Sequence, residues 1–217
     1  MKTAILIPAH NAAETIVEVV KKVKDLGFSV IVVDDGSTDR TFEFAKEAGA
    51  VLLKNQKNMG KGAALRKGFE YILTSNFDAV ITMDADGQHD PTSLYDFVKK
   101  AQETKADFIL GNRMHNVKNM PWIRILTNRF MSRLLSKKIG QHIMDSQCGY
   151  RFIKKALLEK LHLSTLRYEI ESEMLVQAAE LGAVIDSVPI PSIYDGHKSR
   201  INPVVDTWRF IRLMMTM

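Results

Sequence analysis

The sequence predicts an α/β fold in which a mostly parallel central sheet is flanked by helices, and three observations carry that prediction. Short, nearly all-apolar runs recur at 4–7, 30–33, 51–53, 79–83 and 108–110; helix-like segments occupy most of the gaps; and polar motifs follow the runs. Alternating strands and helices imply a parallel sheet, and strands covered on both faces read as continuous apolar runs. With 217 residues, 46% of them hydrophobic and 25% charged, the chain fits one domain, or one domain with an appendage, around a substantial core. No internal repeat or low-complexity linker divides it.

Taken in order, the first run, Ala4-Ile5-Leu6-Ile7, leads into Pro8-Ala9-His10-Asn11-Ala12-Ala13-Glu14. Its apolar stretch is too short for a signal peptide and reads as a strand. The second run ends in Asp34-Asp35-Gly36-Ser37-Thr38-Asp39. Gly36 permits a sharp turn and Ser37 or Thr38 can cap the next helix, which leaves Asp34 without a structural duty. Open α/β sheets bind ligands beyond the carboxyl ends of their strands. A carboxylate there can accept from a nucleobase ring N–H and an exocyclic amine, so Asp34 is a candidate nucleoside contact and Asp35 its supporting neighbour.

The third connection, Asn58-Met59-Gly60-Lys61-Gly62-Ala63-Ala64-Leu65-Arg66, opens with glycines and enters a helix. Backbone N–H groups at a helix start favour anions and Lys61 adds a mobile charge, although a structural glycine turn explains the same residues. The fourth run, Ala79 to Met83, leads straight into Asp84-Ala85-Asp86-Gly87-Gln88. If extended geometry continues that far, Asp84 and Asp86 project to the same side. Two such carboxylates suit Mg²⁺ or Mn²⁺, with water and substrate phosphate oxygens in the remaining positions; an Asp-rich turn ending a buried strand is the plainer alternative. His89, beside Asp90-Pro91, reads as a turn residue rather than a third ligand.

Thirty basic against twenty-five acidic side chains give a net charge of +5, but the excess is local. Between residues 113 and 160 eleven basic side chains stand against two acidic ones, Asp145 and Glu159. Such a patch suits nucleic acid, an anionic membrane or a phosphorylated substrate. Cys148 is the sole cysteine, so no intrachain disulfide and no cysteine-rich zinc site can form, and a reducing compartment is expected. No apolar run approaches the ~20 residues that cross a bilayer. Membrane contact is therefore expected to be peripheral or supplied by a partner.

These motifs together resemble the family 2 glycosyltransferases, whose fold is called GT-A. The resemblance rests on Ile7-Pro8-Ala9-His10-Asn11, Val32-Val33-Asp34-Asp35-Gly36-Ser37-Thr38-Asp39, Asn58-Met59-Gly60-Lys61-Gly62 and Asp84-Ala85-Asp86-Gly87-Gln88, in that order and spacing. It implies an inverting enzyme that uses a nucleotide-activated sugar, UDP- or GDP-linked, and usually Mg²⁺ or Mn²⁺. By that resemblance Pro8 and Asp34 line the nucleoside site and Asp84 and Asp86 the metal-diphosphate site, with Asn11, Asp35, Lys61 and Gln88 as further candidate donor contacts. Many relatives carry acidic residues where this chain has Ala12 and Ala13, which leaves Glu14 as the substitute.

The second half is similar to the polyprenyl-phosphate branch of that family, which includes the dolichyl-phosphate mannose synthases. Its carrying residues are Gly111-Asn112-Arg113, Asp145-Ser146-Gln147-Cys148-Gly149-Tyr150-Arg151 and Tyr168-Glu169-Ile170-Glu171-Ser172-Glu173-Met174. The expected organisation is a single domain over residues 1–196, with a nucleotide-sugar half over about 1–112 and an acceptor half over about 113–196, followed by a basic loop and amphipathic helix over 197–217.

A lipid-phosphate acceptor has independent physical support. Residues 121–139 can form a helix begun by Pro121, with Trp122, Leu126, Phe130 and Leu134 on one strip and Arg129, Arg133 and Lys137 on another. Such a helix can lie at an anionic interface while Arg113 and Arg151 hold a phosphate; the alternative is an apolar strip turned into the core and a solvated basic face. Residues 207–215 form a second apolar-basic segment that can rest on a bilayer, on a membrane subunit or on the domain itself. In the loop before it, Lys198 and Arg200, beside His197, are candidates to close over the diphosphate.

The expected reaction is attack on the anomeric carbon of the donor sugar by a polyprenyl phosphate on the cytoplasmic face of a membrane. A monoalkyl phosphate is largely dianionic at neutral pH, having a second pKa near ~6, so arginine positioning suffices. A saccharide hydroxyl, as in cell-envelope polysaccharide synthesis, would need a base, for which Asp145, Glu169 and Glu171 are candidates. A sugar-nucleotide pyrophosphorylase would carry a glycine-rich loop after the first strand, and Pro8 to Glu14 contains no glycine. A non-catalytic basic binding protein, or one for nucleic acid, leaves Asp34, Asp84 and Asp86 facing polyphosphate unexplained.

Overall fold

The computed structural model describes residues 1–118, 120–191, 193 and 203–216, with side chains of the last helix described at 208–215. The expected Lys198 and Arg200 contacts lie outside the described residues. In chain order the elements are β1 (Thr3–Ala9), α1 (Ile16–Asp25), β2 (Ser29–Asp35), α2 (Thr41–Glu47), β3 (Val51–Asn55), α3 (Lys61–Leu73) and β4 (Ala79–Thr82). There follow α4 (Leu94–Glu103), β5 (Phe108–Asn112), α5 (Trp122–Ile139), β6 (Arg151–Lys154), α6 (Lys155–Leu158), α7 (Ile170–Glu180), β7 (Ile185–Pro189) and α8 (Pro203–Thr216).

The seven strands form one sheet in the order β3-β2-β1-β4-β6-β5-β7. All five expected strands form, and β6 and β7 add to them. β6 runs antiparallel to both neighbours, with Phe152 opposite Ile81 on one side and Ile109 on the other, while the remaining pairs are parallel. Because successive strand side chains alternate, β1 feeds two cores. Ile5 and Ile7 join Val30, Val32, the α1 row Ile16-Val19-Val20-Val23 and Phe97 of α4 on one face. Ala4 and Leu6 join Ile31, Val33, the α3 residues Leu65, Phe69 and Ile72, and Met174 of α7 on the other. The α1 residues recur at the helical i, i+3, i+4, i+7 spacing, so burying one stripe anchors that helix to the sheet.

Two local expectations are corrected. Helix α2 starts at Thr41, and its first turn is met by Asp39, whose Oδ1 accepts from the Thr41 N–H at 3.0 Å. Ser37 and Thr38 instead bind Asn11: the Asn11 N–H donates to Ser37 Oγ and the Thr38 N–H donates to Asn11 Oδ1, each at 2.9 Å. Strand β4 ends at Thr82, so Asp84 and Asp86 sit in the turn beyond it and strand alternation does not aim them.

Helix α5 turns a mixed face inward and an apolar one outward. Its buried residues are Asn128, Met131, Ser132 and Leu135, while Trp122 is 74% exposed and Ile123, Leu126, Phe130 and Leu134 are exposed beside it. The apolar strip is therefore not core. Arg129, Arg133, Lys137 and Lys138 are exposed on the same helix, which carries no acidic residue. Lys138 Nζ donates to the Met214 carbonyl at 2.9 Å, which fastens α5 to α8, where Trp208 and Met215 are also exposed. No helix among the described residues is long and apolar enough to cross a membrane.

Candidate active site

A cavity of about 490 Å³ opens beyond the carboxyl ends of β1, β2, β4 and β5. Pro8, Asn11, Glu14, Asp35, Lys61, Asp84, Asp86, Gln88, Arg113 and Glu171, all expected from sequence, line it. Arg124, Gln147, Arg167 and Tyr168 line it as well. The polar ends of separate strands thus meet in one chamber, as in other open α/β sheets.

The end of the cavity beside β1 and β2 is held by ties between loops. Asn11 adopts φ 48°, a left-handed conformation that asparagine tolerates, and its bonds to Ser37 and Thr38 join the loop after β1 to the loop after β2. His10 Nδ1 lies 2.9 Å from the Asp35 carbonyl across the same junction. The two aspartates exchange their expected parts. Asp34 shares a strand face with Val30 and Val32, is fully buried, does not line the cavity and accepts from the Ser37 N–H at 3.1 Å. Its Oδ2 has no hydrogen-bond partner among the described residues, and Lys54 Nζ stands 3.9 Å away. Asp35, one residue on, lines the cavity and accepts from Asn55 Nδ2 and from the N–H groups of Met59 and Gly60 at 2.7–3.0 Å.

Those last two bonds correct the reading of the glycine-rich connection. The N–H groups before α3 bind Asp35, and the Ala63 N–H donates to the Leu166 carbonyl at 3.1 Å, so this helix start is a packed junction. Gly60 has φ 99°, and a Cβ there would lie 2.5 Å from the Leu166 oxygen. Lys61 alone carries the segment's charge to the cavity. Its Nζ binds Asp84 Oδ1 at 2.5 Å and Glu171 Oε1 at 2.7 Å. Burial opposes the charge of both partners, but the ion pair outweighs it, raising the Lys61 ammonium and holding Asp84 down at about 2.

Asp86 is exposed on its turn and accepts from the Gln88 N–H at 3.0 Å. His89 is buried beneath it and stacks on Tyr150 at 4.8 Å between centroids, and its Nδ1 accepts from the Asp84 N–H at 3.2 Å. Burial pushes its pKa down against the pull of Asp84 and Asp86, and the ring braces the Asp84–Asp86 turn. Among the described residues no cluster of three or more His, Cys, Asp or Glu gathers at metal-binding distance. Asp84, held ionised, and exposed Asp86 nevertheless fit a hard divalent cation that takes its other ligands from substrate and water.

The opposite wall is basic. Arg113 binds Asp145 through Nε at 2.8 Å, a terminal nitrogen at 3.0 Å and its own N–H at 3.1 Å. Asp145 is buried, receives Asn128 Nδ2 at 2.6 Å, and does not line the cavity. Its expected role as a base is corrected: it aims Arg113. Burial disfavours its charge, yet the Arg113 guanidinium and these bonds hold the carboxyl below its ordinary range.

Arg151 is corrected in the same way. It is fully buried and donates to the carbonyls of Cys148 and Ser146 at 2.7 Å and to that of Glu171, which leaves it no path to a phosphate. It fastens the 146–148 loop to the start of α7. Of the three candidate bases only Glu171 lines the cavity, since Glu169 faces Arg209 at 3.6 Å on another surface. Arg124, absent from the expected site, enters the cavity from the first turn of α5; it stands off the Arg129-Arg133-Lys137 row, and that offset is the signal that marks it.

The profile described as "Glycosyl transferase family 2" matches residues 4–162. An uncharacterized protein of Methanocaldococcus jannaschii is 34% identical over 196 residues, covering 88% of this chain and 81% of its own. The UDP-N-acetylglucosamine–dolichyl-phosphate N-acetylglucosaminyltransferase of Methanococcus voltae is 29% identical over 97% of this chain and 94% of its own. The polyprenol monophosphomannose synthase of Mycolicibacterium smegmatis is 29% identical over 87% and 76%. Among solved structures, glucosyl-3-phosphoglycerate synthase of Mycobacterium tuberculosis bound to uridine diphosphate superposes with a TM-score of 0.80 at 20% identity, covering 99% of this chain and 79% of that one.

Proposed function

The chain belongs to glycosyl transferase family 2 and has the GT-A fold, and from that premise we propose that it transfers a sugar from a nucleotide sugar to a polyprenyl phosphate at a membrane surface. One observation carries the acceptor assignment: α5 sends Arg124 into the cavity while presenting Trp122, Ile123 and Leu126 outward from the same two turns. A phosphate joined to a long apolar tail matches both faces of that helix. The exposed basic residues of α5 complement anionic lipid, and its apolar strip suits insertion at the headgroup boundary. The names of the Methanococcus and Mycolicibacterium relatives point to the same acceptor class.

In this reading the donor diphosphate lies beside Asp84, Asp86 and Gln88, and the acceptor phosphate lies against Arg113 and Arg124. An acceptor phosphate oxygen forms the new bond to the anomeric carbon as the bond to the diphosphate oxygen breaks, and the nucleoside diphosphate leaves with the electron pair. Attack from the face opposite the leaving group inverts the anomeric centre. A divalent cation held by Asp84 and Asp86 would supply positive charge to the departing diphosphate. Arg113, held by Asp145, positions the nucleophile, and a dianionic phosphate needs no proton removed. Glu171 is thereby left to hold Lys61.

The test is nucleoside diphosphate release by the purified chain with Mn²⁺ across UDP- and GDP-sugars, with and without a short polyprenyl phosphate. Lipid-dependent release with an inverted product is expected. Release that depends on a saccharide acceptor instead would move the assignment to a hydroxyl nucleophile with Glu171 as base.

A further inference from the structure

Lys61 occupies an unusual place for a lysine. Its side chain is only 15% exposed, and its ammonium sits between two carboxylates far apart in the sequence, Asp84 and Glu171. The pocket around it is tight, since a Cβ on Gly149 would fall 2.8 Å from Lys61 Nζ and 2.6 Å from Asp84 Oδ2. Asp84 Oδ1 and Glu171 Oε1 both lie within 2.7 Å of this one nitrogen. A lysine with its full rotamer freedom loses much of it here, and the ion pairs with both carboxylates offset that loss.

We propose that Lys61 is an internal counter-cation that keeps Asp84 closed to a divalent metal until a nucleoside diphosphate enters the cavity, so that metal binding depends on nucleotide. The proposal rests on the reading of Asp84 and Asp86 as metal ligands. An ammonium and a divalent ion repel each other across one carboxylate, so a metal arriving alone must displace Lys61 with little to replace the lost pair. Of the two aspartates, only Asp86 is exposed to solvent without a cation at bonding distance among the described residues, and those residues hold no group of three or more His, Cys, Asp or Glu that could enclose a metal by itself. A diphosphate changes both terms. It brings oxygens that complete the metal's shell, and it gives Lys61 Nζ a new anionic partner within the same cavity.

Glu171 makes that exchange a small movement. It keeps one bond to Nζ while the other swings from Asp84 Oδ1 to a phosphate oxygen, so the lysine is never stranded. His89 braces the same turn from the protein side, its Nδ1 accepting from the Asp84 N–H at 3.2 Å. The interaction is reciprocal, and nucleotide and metal strengthen each other's binding by the same factor.

The measurement is Mn²⁺ affinity of the full chain, read from the loss of the free-ion paramagnetic resonance signal, with and without UDP or GDP. Wild type is expected to bind Mn²⁺ weakly alone and at least about tenfold more tightly with its nucleoside diphosphate. Lys61→Met should bind Mn²⁺ without nucleotide about tenfold more tightly than wild type, whereas Lys61→Arg, which keeps the charge, should stay weak. Equal affinity of wild type and Lys61→Met without nucleotide overturns the lysine's role while leaving the metal site standing. No Mn²⁺ binding with either diphosphate overturns the metal site itself. Should Lys61→Met fail to fold, Lys61→Met/Glu171→Gln removes one charge of each sign and the same comparison decides.

Discussion

Asn128 and Arg113 meet at one oxygen: Asn128 Nδ2 donates to Asp145 Oδ1 at 2.6 Å, and a terminal Arg113 nitrogen donates to the same atom at 3.0 Å. Asn128 is itself fixed by Ser132, whose hydroxyl donates to Asn128 Oδ1 at 2.8 Å and lies 3.0 Å from Ser146 Oγ. The helix that turns an apolar strip outward therefore holds, from its inner face, the carboxylate that aims a cavity arginine.

Asn128→Ala removes one support from a buried carboxylate and should lower stability by about 1–3 kcal/mol. Transfer should fall through poorer positioning of Arg113, with the change in KM for polyprenyl phosphate exceeding that for the nucleotide sugar. Urea denaturation and steady-state kinetics read the two effects separately, and an unchanged acceptor KM would detach Asn128 from the site.

Asp145 should make stability acid-sensitive. Its folded pKa lies below the unfolded value, so its contribution is complete above about pH 5 and disappears as pH falls towards the folded value. Asp145→Asn should lower the urea midpoint at pH 7 and flatten the decline between about pH 5 and pH 3 relative to wild type. Parallel pH curves would show that another group governs the acid limb.

Asp86→Ala should reduce kcat by at least about 100-fold. Because Asp86 is exposed and its described hydrogen bond is local, the melting temperature should stay within a few degrees of wild type. Retained turnover with Mn²⁺ present would remove Asp86 from the reaction.

Replacing Trp122, Leu126 and Phe130 together by serine should abolish sedimentation with anionic vesicles. The three side chains are exposed, so stability should change by roughly 0.5 kcal/mol or less per site. Undiminished vesicle binding would move the membrane contact elsewhere, with α8 the next surface to test.

Gly149→Ala should disturb the charged centre directly. The added methyl would lie 2.6 Å from Asp84 Oδ2 and 2.8 Å from Lys61 Nζ, closer than van der Waals contact allows. A fall in nucleotide affinity with the fold retained is expected, and wild-type affinity in a calorimetric titration would mean that the pair shifts at no cost.

Much of this site was legible because its residues follow apolar runs: a strand announces itself, and what comes after it lies at a sheet end. That logic located Pro8, Asp84 and Asp86. It failed where one residue of register decides a side chain's direction, as with Asp34 and Asp35, since an apolar run covered on both faces carries no alternation to reveal its inner side. β6 escaped because its four residues include a buried arginine, and Arg151 stands there only because three carbonyls from elsewhere converge on it. Arg124 is indistinguishable by residue type from the basic neighbours that point to solvent, and only the helix's rotation separates them.

The place of β6 in the sheet also bears on how the chain is made. β5 touches β6 and β7 but not β4, so when residue 112 leaves the ribosome its strand has no partner yet synthesised. It must wait for residues 151–154, and α5 with its outward apolar strip is built during the interval. During that interval a nascent chain would expose an unpaired strand edge and a hydrophobic helix together, the two features most prone to capture by chaperones or by the membrane on which the finished enzyme is proposed to work.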